Sequence, residues 1–341
     1  MTSPKPTVIL RPAPQPTTRI FSPDALRRLH RNFRVIDLES DDSDAALDAV
    51  LPEAFAIIGQ PDLPRERLDK APKLRALLNV EGNFYPNVDY ATLFDQGTYV
   101  LGCGPAYSQA VAEYSLGLAI DLARGISRED RAFREGRERY LGDGNADAIL
   151  LRRATVGLIG YGNLGRSLHR LLEPFEVSLR IFDPWIPDSV ILEAGAAPAS
   201  LEETLSETTF IFVLAAATEA SQHLLGPREL DLISPGARVV FVSRSAVVDL
   251  DALLDRVRDG HFLAAVDVWP QEPMPADSPA RTLNGLILSA HRAGGIPSAF
   301  TEIGDMVVDD LLQMNAGLPP ARMQVAAREL VNLYRNKAAG S

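Results

Sequence analysis

Residues 156–168 read VGLIGYGNLGRSL, an apolar run that leads straight into Gly160, Gly162 and Gly165 and then into a helical pattern. Glycines at this spacing say little alone, but between a strand and a helix they specify a turn that holds a dinucleotide. Gly160 permits the tight turn, Gly162 lets the backbone approach a pyrophosphate, and Gly165 lets the helix pack closely on the strand. The helix N-terminus then offers its N–H groups to the phosphates. The next apolar run, SLRIFD, ends on Asp183, eighteen residues past Gly165. A carboxylate there accepts hydrogen bonds from the adenosine ribose hydroxyls and repels a 2′-phosphate, so NAD is expected rather than NADP. Asn163 and Leu164 inside the motif are further candidate cofactor contacts, and Ala215 and Ser243 on later segments are candidates as well.

That unit sits in a chain of 341 residues, enough for about two domains. Short β-rich runs at 7–10, 33–38, 55–59, 74–80 and 99–102 alternate with polar, periodic stretches such as 22–31 and 43–50. Ser22 and Pro23 read as the N-cap and first residue of the first of these helices. A long helix is expected over 108–124, where Val111, Tyr114, Ser115, Leu118 and Leu122 recur at helical spacing. Six further strands are expected at 155–159, 179–182, 210–214, 237–242, 264–268 and 286–289. Another helix fits 298–316, with an apolar stripe through Phe300, Ile303, Val307, Leu311 and Met314. The tail 321–336 reads as one more amphipathic helix, followed by a frayed end. The pattern is α/β throughout, with parallel sheets covered on both faces and the second unit doubly wound.

Composition removes several alternatives. At 46% hydrophobic and 23% charged residues the chain is too apolar to be disordered. The lone Cys103 excludes an intrachain disulfide and a cysteine zinc cluster, and the five histidines form no i, i+4 pair, so no metal is expected. A net charge of −11 disfavours nucleic acid and anionic membrane surfaces as partners. No apolar run approaches the roughly 20 residues that cross a bilayer, and the proline-rich start lacks a secretory layout. A soluble, cytoplasmic protein is expected.

Arg244, Glu272 and His291 each follow a predicted strand, at the sheet edge where open α/β sheets bind ligands. This trio suits a reaction on an anionic carbonyl compound. Arg244 can hold a carboxylate and polarise a C=O with its planar fork of donors. His291 can pass a proton to the carbonyl oxygen, while Glu272 orients the imidazole and favours its charged form.

The runs VGLIGYGNLGR, SRSAVVDLDALLDRVRDG, AAVDVWPQEPMP and LSAHRAGG, with NVDYATLFDQG and AVAEYSLGLAIDLARGI before them, resemble the D-isomer-specific 2-hydroxyacid dehydrogenase family. The resemblance implies reversible hydride transfer between NAD(H) and a 2-oxo or D-2-hydroxy acid, a small anionic substrate, in a cleft between two domains. It places the family's catalytic Arg, Glu and His on Arg244, Glu272 and His291, and an aspartate that contacts the nicotinamide carboxamide on Asp267. It implies a discontinuous, flavodoxin-like substrate domain, 1–107 plus 299–341, and a Rossmann NAD-binding domain, 108–298. It also implies a homodimer that uses the 109–126 helix. Gly82 and Asn83 fall on the loop whose amides hold the substrate carboxylate, although Glu81, Phe84 and Tyr85 add bulk and charge there. Leu214-Ala215-Ala216 stands where the family has His-x-Pro, Ser245 replaces a glycine, and Arg292 adds a second cation beside His291. Arg292 suits either a second anionic group on the substrate or a salt bridge to a nearby carboxylate. An NAD(H)-sensing, corepressor-like binding protein is the alternative on the same fold. Formate dehydrogenase is disfavoured, because it carries Gln where Glu272 stands.

Overall fold

Runs rich in β-branched and aromatic residues become strands buried on both faces here, because helices cover each side of a parallel sheet. The structure, a computed structural model, describes residues 4–41 and 43–331. It divides into two compact units, Met1–Ser108 with Gly295–Ser341, and Gln109–Gly294.

The first unit contains β1 (Thr7–Arg11), β2 (Arg34–Asp37), β3 (Ala54–Gly59), β4 (Ala76–Asn79) and β5 (Tyr99–Gly102). They pair in parallel in the order β5-β4-β3-β1-β2, so the chain direction across the sheet reverses between β1 and β3. Helix Pro23–Asn32 starts where the sequence predicts, with the Ser22 hydroxyl accepting from Ala25 N at 3.0 Å. One face of the sheet (Val8, Leu10, Ile58, Leu78) packs with Ile303, Val307 and Leu311 of helix Pro297–Asn315. The other face (Ile9, Ile57, Leu77) packs with Leu47 and Leu93. Each such side chain contributes about 1.5–3 kcal/mol on burial. Burial of Cys103 in this core pushes its thiol well above the ordinary range, so it is no nucleophile.

The second unit contains β6 (Thr155–Ile159), β7 (Ser178–Phe182), β8 (Ala197–Pro198), β9 (Phe210–Val213), β10 (Arg238–Phe241), β11 (Leu263–Val266) and β12 (Leu286–Leu288). Their order, β12-β11-β10-β9-β6-β7-β8, is that of a doubly wound nucleotide-binding sheet with one strand added, and it switches direction between β6 and β9. The sheet has seven strands rather than the six expected, because β8 is a two-residue strand without periodicity.

Two other expectations are corrected. The long helix is Gly104–Arg124, beginning before 108, because Pro105 falls in its first turn, where no N–H is needed. The tail 321–336 is not one helix. Gln324–Val325 forms a short antiparallel strand on β5, and among the described residues of the tail Arg328–Val331 is helical; 332–336 and the frayed end expected beyond them lie outside the described residues. The buried Asp310 carboxylate fixes that course by accepting from the backbone N–H groups of Ala321, Arg322 and Met323. Among the described residues, no helix is long and apolar enough to cross a membrane.

Candidate active site

The glycine turn follows β6, at the reversal point of the larger sheet. Gly160 has φ +100°, and a Cβ there would lie 2.8 Å from the Ala215 backbone; at Gly165 it would lie 2.6 Å from the Gly160 carbonyl oxygen. Both positions are therefore closed to side chains by backbone. Gly162 differs, since a Cβ would meet nothing within 4 Å. It is the N-cap of helix Asn163–Leu172, and the space beside it lets a ligand approach the backbone at the helix start. Asn163, Leu164 and Gly165 form that first turn. Asp183 closes on the turn from β7, with Oδ2 accepting from Tyr161 N at 2.7 Å and Oδ1 from Trp185 N at 3.0 Å. Each carboxylate oxygen keeps a further lone pair for a ribose hydroxyl.

Ser243 lies beyond the end of β10. Its hydroxyl is buried and has no hydrogen-bond partner among the described residues. An orphaned buried hydroxyl carries a desolvation cost of about 1–3 kcal/mol that a ligand contact would relieve. This orphan and the open helix start at Gly162 both fit a nicotinamide dinucleotide along this edge of the sheet.

Arg244, Asp267 and His291 follow the neighbouring strands β10, β11 and β12, so the topology brings residues far apart in sequence to one sheet edge. His291 Nδ1 and Glu272 Oε2 are 2.7 Å apart. A carboxylate can only accept, so Nδ1 carries the hydrogen and Nε2 is left for other partners. Both side chains remain partly open, at 46% and 37%. His291 takes the left-handed conformation, φ +49°, and its N–H donates to the Asp267 carbonyl at 2.8 Å. Arg244 Nη1 donates to the Ser243 carbonyl at 2.7 Å.

Asp267 is 1% exposed, and its carboxylate is held by its own chain. It accepts from the Ser289 hydroxyl and from the N–H groups of Arg292 and Ala293 at 3.0 and 3.1 Å. It therefore pins the turn that carries His291. The Arg292 side chain is exposed and forms no ion pair among the described residues.

In the first unit, buried Asn79 at the end of β4 shapes the loop that holds Gly82 and Asn83. Its Oδ1 accepts from Glu81 N at 2.6 Å, and its Nδ2 donates to the Asn83 carbonyl at 2.6 Å. Gln15 Nε2 donates to Glu81 Oε1 at 3.3 Å. Among the described residues, no group of three or more His, Cys, Asp or Glu side chains is placed to hold a metal ion.

Residues 116–293 match the family model described as D-isomer specific 2-hydroxyacid dehydrogenase, NAD binding domain. The chain belongs to the D-isomer-specific 2-hydroxyacid dehydrogenase family. Its larger sheet is thus the NAD-binding domain of a hydroxyacid dehydrogenase, and its cofactor is a nicotinamide dinucleotide. The chain is similar to a crystal structure of a phosphoglycerate oxidoreductase from Rhizobium etli, with TM-score 0.88 and 44% identity over 95% of this chain and 99% of the other. It is 25% identical over 314 residues to a glyoxylate reductase of Korarchaeum cryptofilum, covering 89% of this chain and 93% of that protein. An NADPH-dependent glyoxylate/hydroxypyruvate reductase from Sinorhizobium meliloti, solved with NADP and malonate, shares the fold at TM-score 0.69 and 22% identity, over 98% and 99% of the two chains.

Three features of this dehydrogenase escape sequence reasoning. Asn79 carries a weak signal, an amide ending an otherwise apolar strand. Trp269 and Ser289 have no readable signal, yet the indole N–H of Trp269 donates to the Ser289 carbonyl at 2.7 Å. Tyr114, foreseen only as a helix-stripe residue, places its hydroxyl 2.8 Å from that of Ser289.

Proposed function

We propose that the chain is an NAD-dependent oxidoreductase that interconverts a 2-oxo acid and the D-2-hydroxy acid. The 2.7 Å pairing of His291 with Glu272, beside Arg244 on the same sheet edge, carries this reading. Bound nicotinamide supplies the hydride in reduction and takes it up in oxidation. The planar guanidinium of Arg244 binds the substrate carboxylate and polarises the carbonyl. His291 gives a proton from Nε2 to the carbonyl oxygen in reduction and takes it back from the hydroxyl in oxidation. Glu272 holds the ring by Nδ1 and balances the charge of the imidazolium. Gly82 and Asn83, on a loop that Asn79 keeps folded, are the first unit's candidate substrate contacts in this reading.

NAD is the cofactor in this reading, since a carboxylate at the end of β7, Asp183, favours ribose hydroxyls and repels a 2′-phosphate. Gly160 and Gly165 would shape the turn, Gly162, Asn163 and Leu164 would hold the pyrophosphate, and Ala215, Ser243 and Asp267 would complete the cofactor site. The division into a substrate domain, 1–107 with 299–341, and a cofactor domain, 108–298, belongs to the same proposal. The functional unit is a homodimer, because Ile126, Phe133, Tyr140, Leu141 and Leu150 leave large apolar side chains in water along one stretch of chain. A monomeric mass in light scattering at micromolar concentration would refute that assignment.

The direct test is NADH oxidation with glyoxylate, hydroxypyruvate, pyruvate and phenylpyruvate. At least one is reduced, and His291→Ala lowers its kcat/KM by about 100-fold or more. Tight NADH binding with no turnover of any 2-oxo acid would instead identify a cofactor-sensing protein.

A further inference from the structure

Two turns must be held in register for Glu272 to meet His291: residues 267–272, leaving β11, and residues 289–293, leaving β12. Asp267 secures the second turn through its bonds to Ser289, His291, Arg292 and Ala293. None of those bonds involves Glu272.

Trp269 supplies the missing connection. Its main-chain N–H donates to Glu272 Oε1 at 2.9 Å, while its indole Nε1 donates to the Ser289 carbonyl, two residues before His291, at 2.7 Å. Glu272 is thereby anchored through one oxygen and presents the other, Oε2, to His291 Nδ1. Trp269 and Ser289 are both buried, so water does not compete for the indole bond. The Tyr114 hydroxyl bonds the Ser289 hydroxyl from helix Gly104–Arg124 and steadies the same point.

We propose that Trp269 is a positioning residue for the His291–Glu272 pair, acting through the indole N–H rather than through the bulk of its ring. The Glu272 carboxylate is part-exposed, so without this brace it can turn toward water and leave the imidazole less firmly oriented. Phenylalanine at this position would fill most of the same space but leave the Ser289 carbonyl without its donor. The inference rests on the catalytic reading of the pair, and the experiment separates the two.

Full-length wild type, Trp269→Phe, Glu272→Gln and the double variant are compared by two measurements. The first needs no turnover: in NMR of the histidine ring nitrogens, the His291 Nδ1 proton held by Glu272 resonates downfield and exchanges slowly. Trp269→Phe moves that signal upfield and speeds its exchange, and Glu272→Gln removes it. The second is reduction of the best 2-oxo acid: Trp269→Phe lowers kcat about tenfold while the KM for NADH stays within about twofold, yet costs less than about twofold when added to Glu272→Gln. An unchanged His291 signal in Trp269→Phe, or an equal kcat cost in both backgrounds, overturns the proposal. A wild type that reduces no 2-oxo acid overturns the functional reading alone, and the NMR comparison still decides the role of Trp269.

Discussion

Both units open with the same topological gesture, a strand that runs into a turn and a helix at the reversal point of a parallel sheet, and the two turns are built oppositely. After β6 the chain reads Gly160-Tyr161-Gly162-Asn163-Leu164-Gly165; after β1 it reads Pro12-Ala13-Pro14-Gln15-Pro16. Prolines have no N–H, so the second turn has few donors to offer an anion. Its helix, Thr17–Ile20, is a single turn whose first N–H is already bonded to Glu39 Oε2 at 3.2 Å. Asp183 and Glu39 occupy matching places, each beyond the second strand of its unit and each accepting from the first turn. One turn offers glycine and a helix start, whereas the other presents prolines and an acidic side chain to a small cavity, so topology offers the site but the side chains decide what it can hold.

The sharpest way to break this contrast is to put a side chain where only glycine fits. Gly160→Ala meets both the φ of +100° and the Ala215 backbone at 2.8 Å. We expect NADH affinity to fall about 100-fold in a fluorescence titration, since strain of roughly 1–3 kcal/mol is placed on the turn. Pro14→Ala, in the proline turn, should leave that affinity within about twofold; equal losses in both variants would mean that the two turns do not differ in function. A smaller effect sharpens the pairing of the two carboxylates. Asp183→Ser should reduce the preference for NADH over NADPH by about tenfold, because it removes the charge that meets a 2′-phosphate. Glu39→Gln should leave the preference unaltered. A ratio of kcat/KM values that ignores Asp183 would remove it from the cofactor site.

Much of the fold was legible because apolar runs ended in clear punctuation. β5 and β6 match their expected limits to the residue, where glycine follows or ends the run. Ala197–Pro198 and Gln324–Val325 were not legible, since two residues carry no period and pair only because a neighbouring strand presents its edge. The helix expected over 108–124 begins four residues earlier, at Gly104, because a proline in the first turn does not interrupt a helix. The pairing of His291 with Glu272 could be anticipated because each residue brings its own chemistry to a strand end. The brace around it could not, because positions 114, 269 and 289 meet only after three separate elements have packed. The same holds for Asp267, whose expected place near the cofactor gave no hint that its carboxylate secures the backbone that carries His291.

The brevity of the outermost strands has a consequence of its own. The larger sheet ends in β12 and β8, of three and two residues, and the smaller one ends on one side in the two-residue strand Gln324–Val325. The remaining border, β2, is only four residues long and begins and ends in charge, with Arg34 and Asp37. None of these borders offers enough consecutive unpaired amides to recruit a foreign strand. The molecule thus keeps two long-range parallel sheets, a slow-forming architecture exposed to misassembly, from templating fibrous growth, with no barrel closure needed.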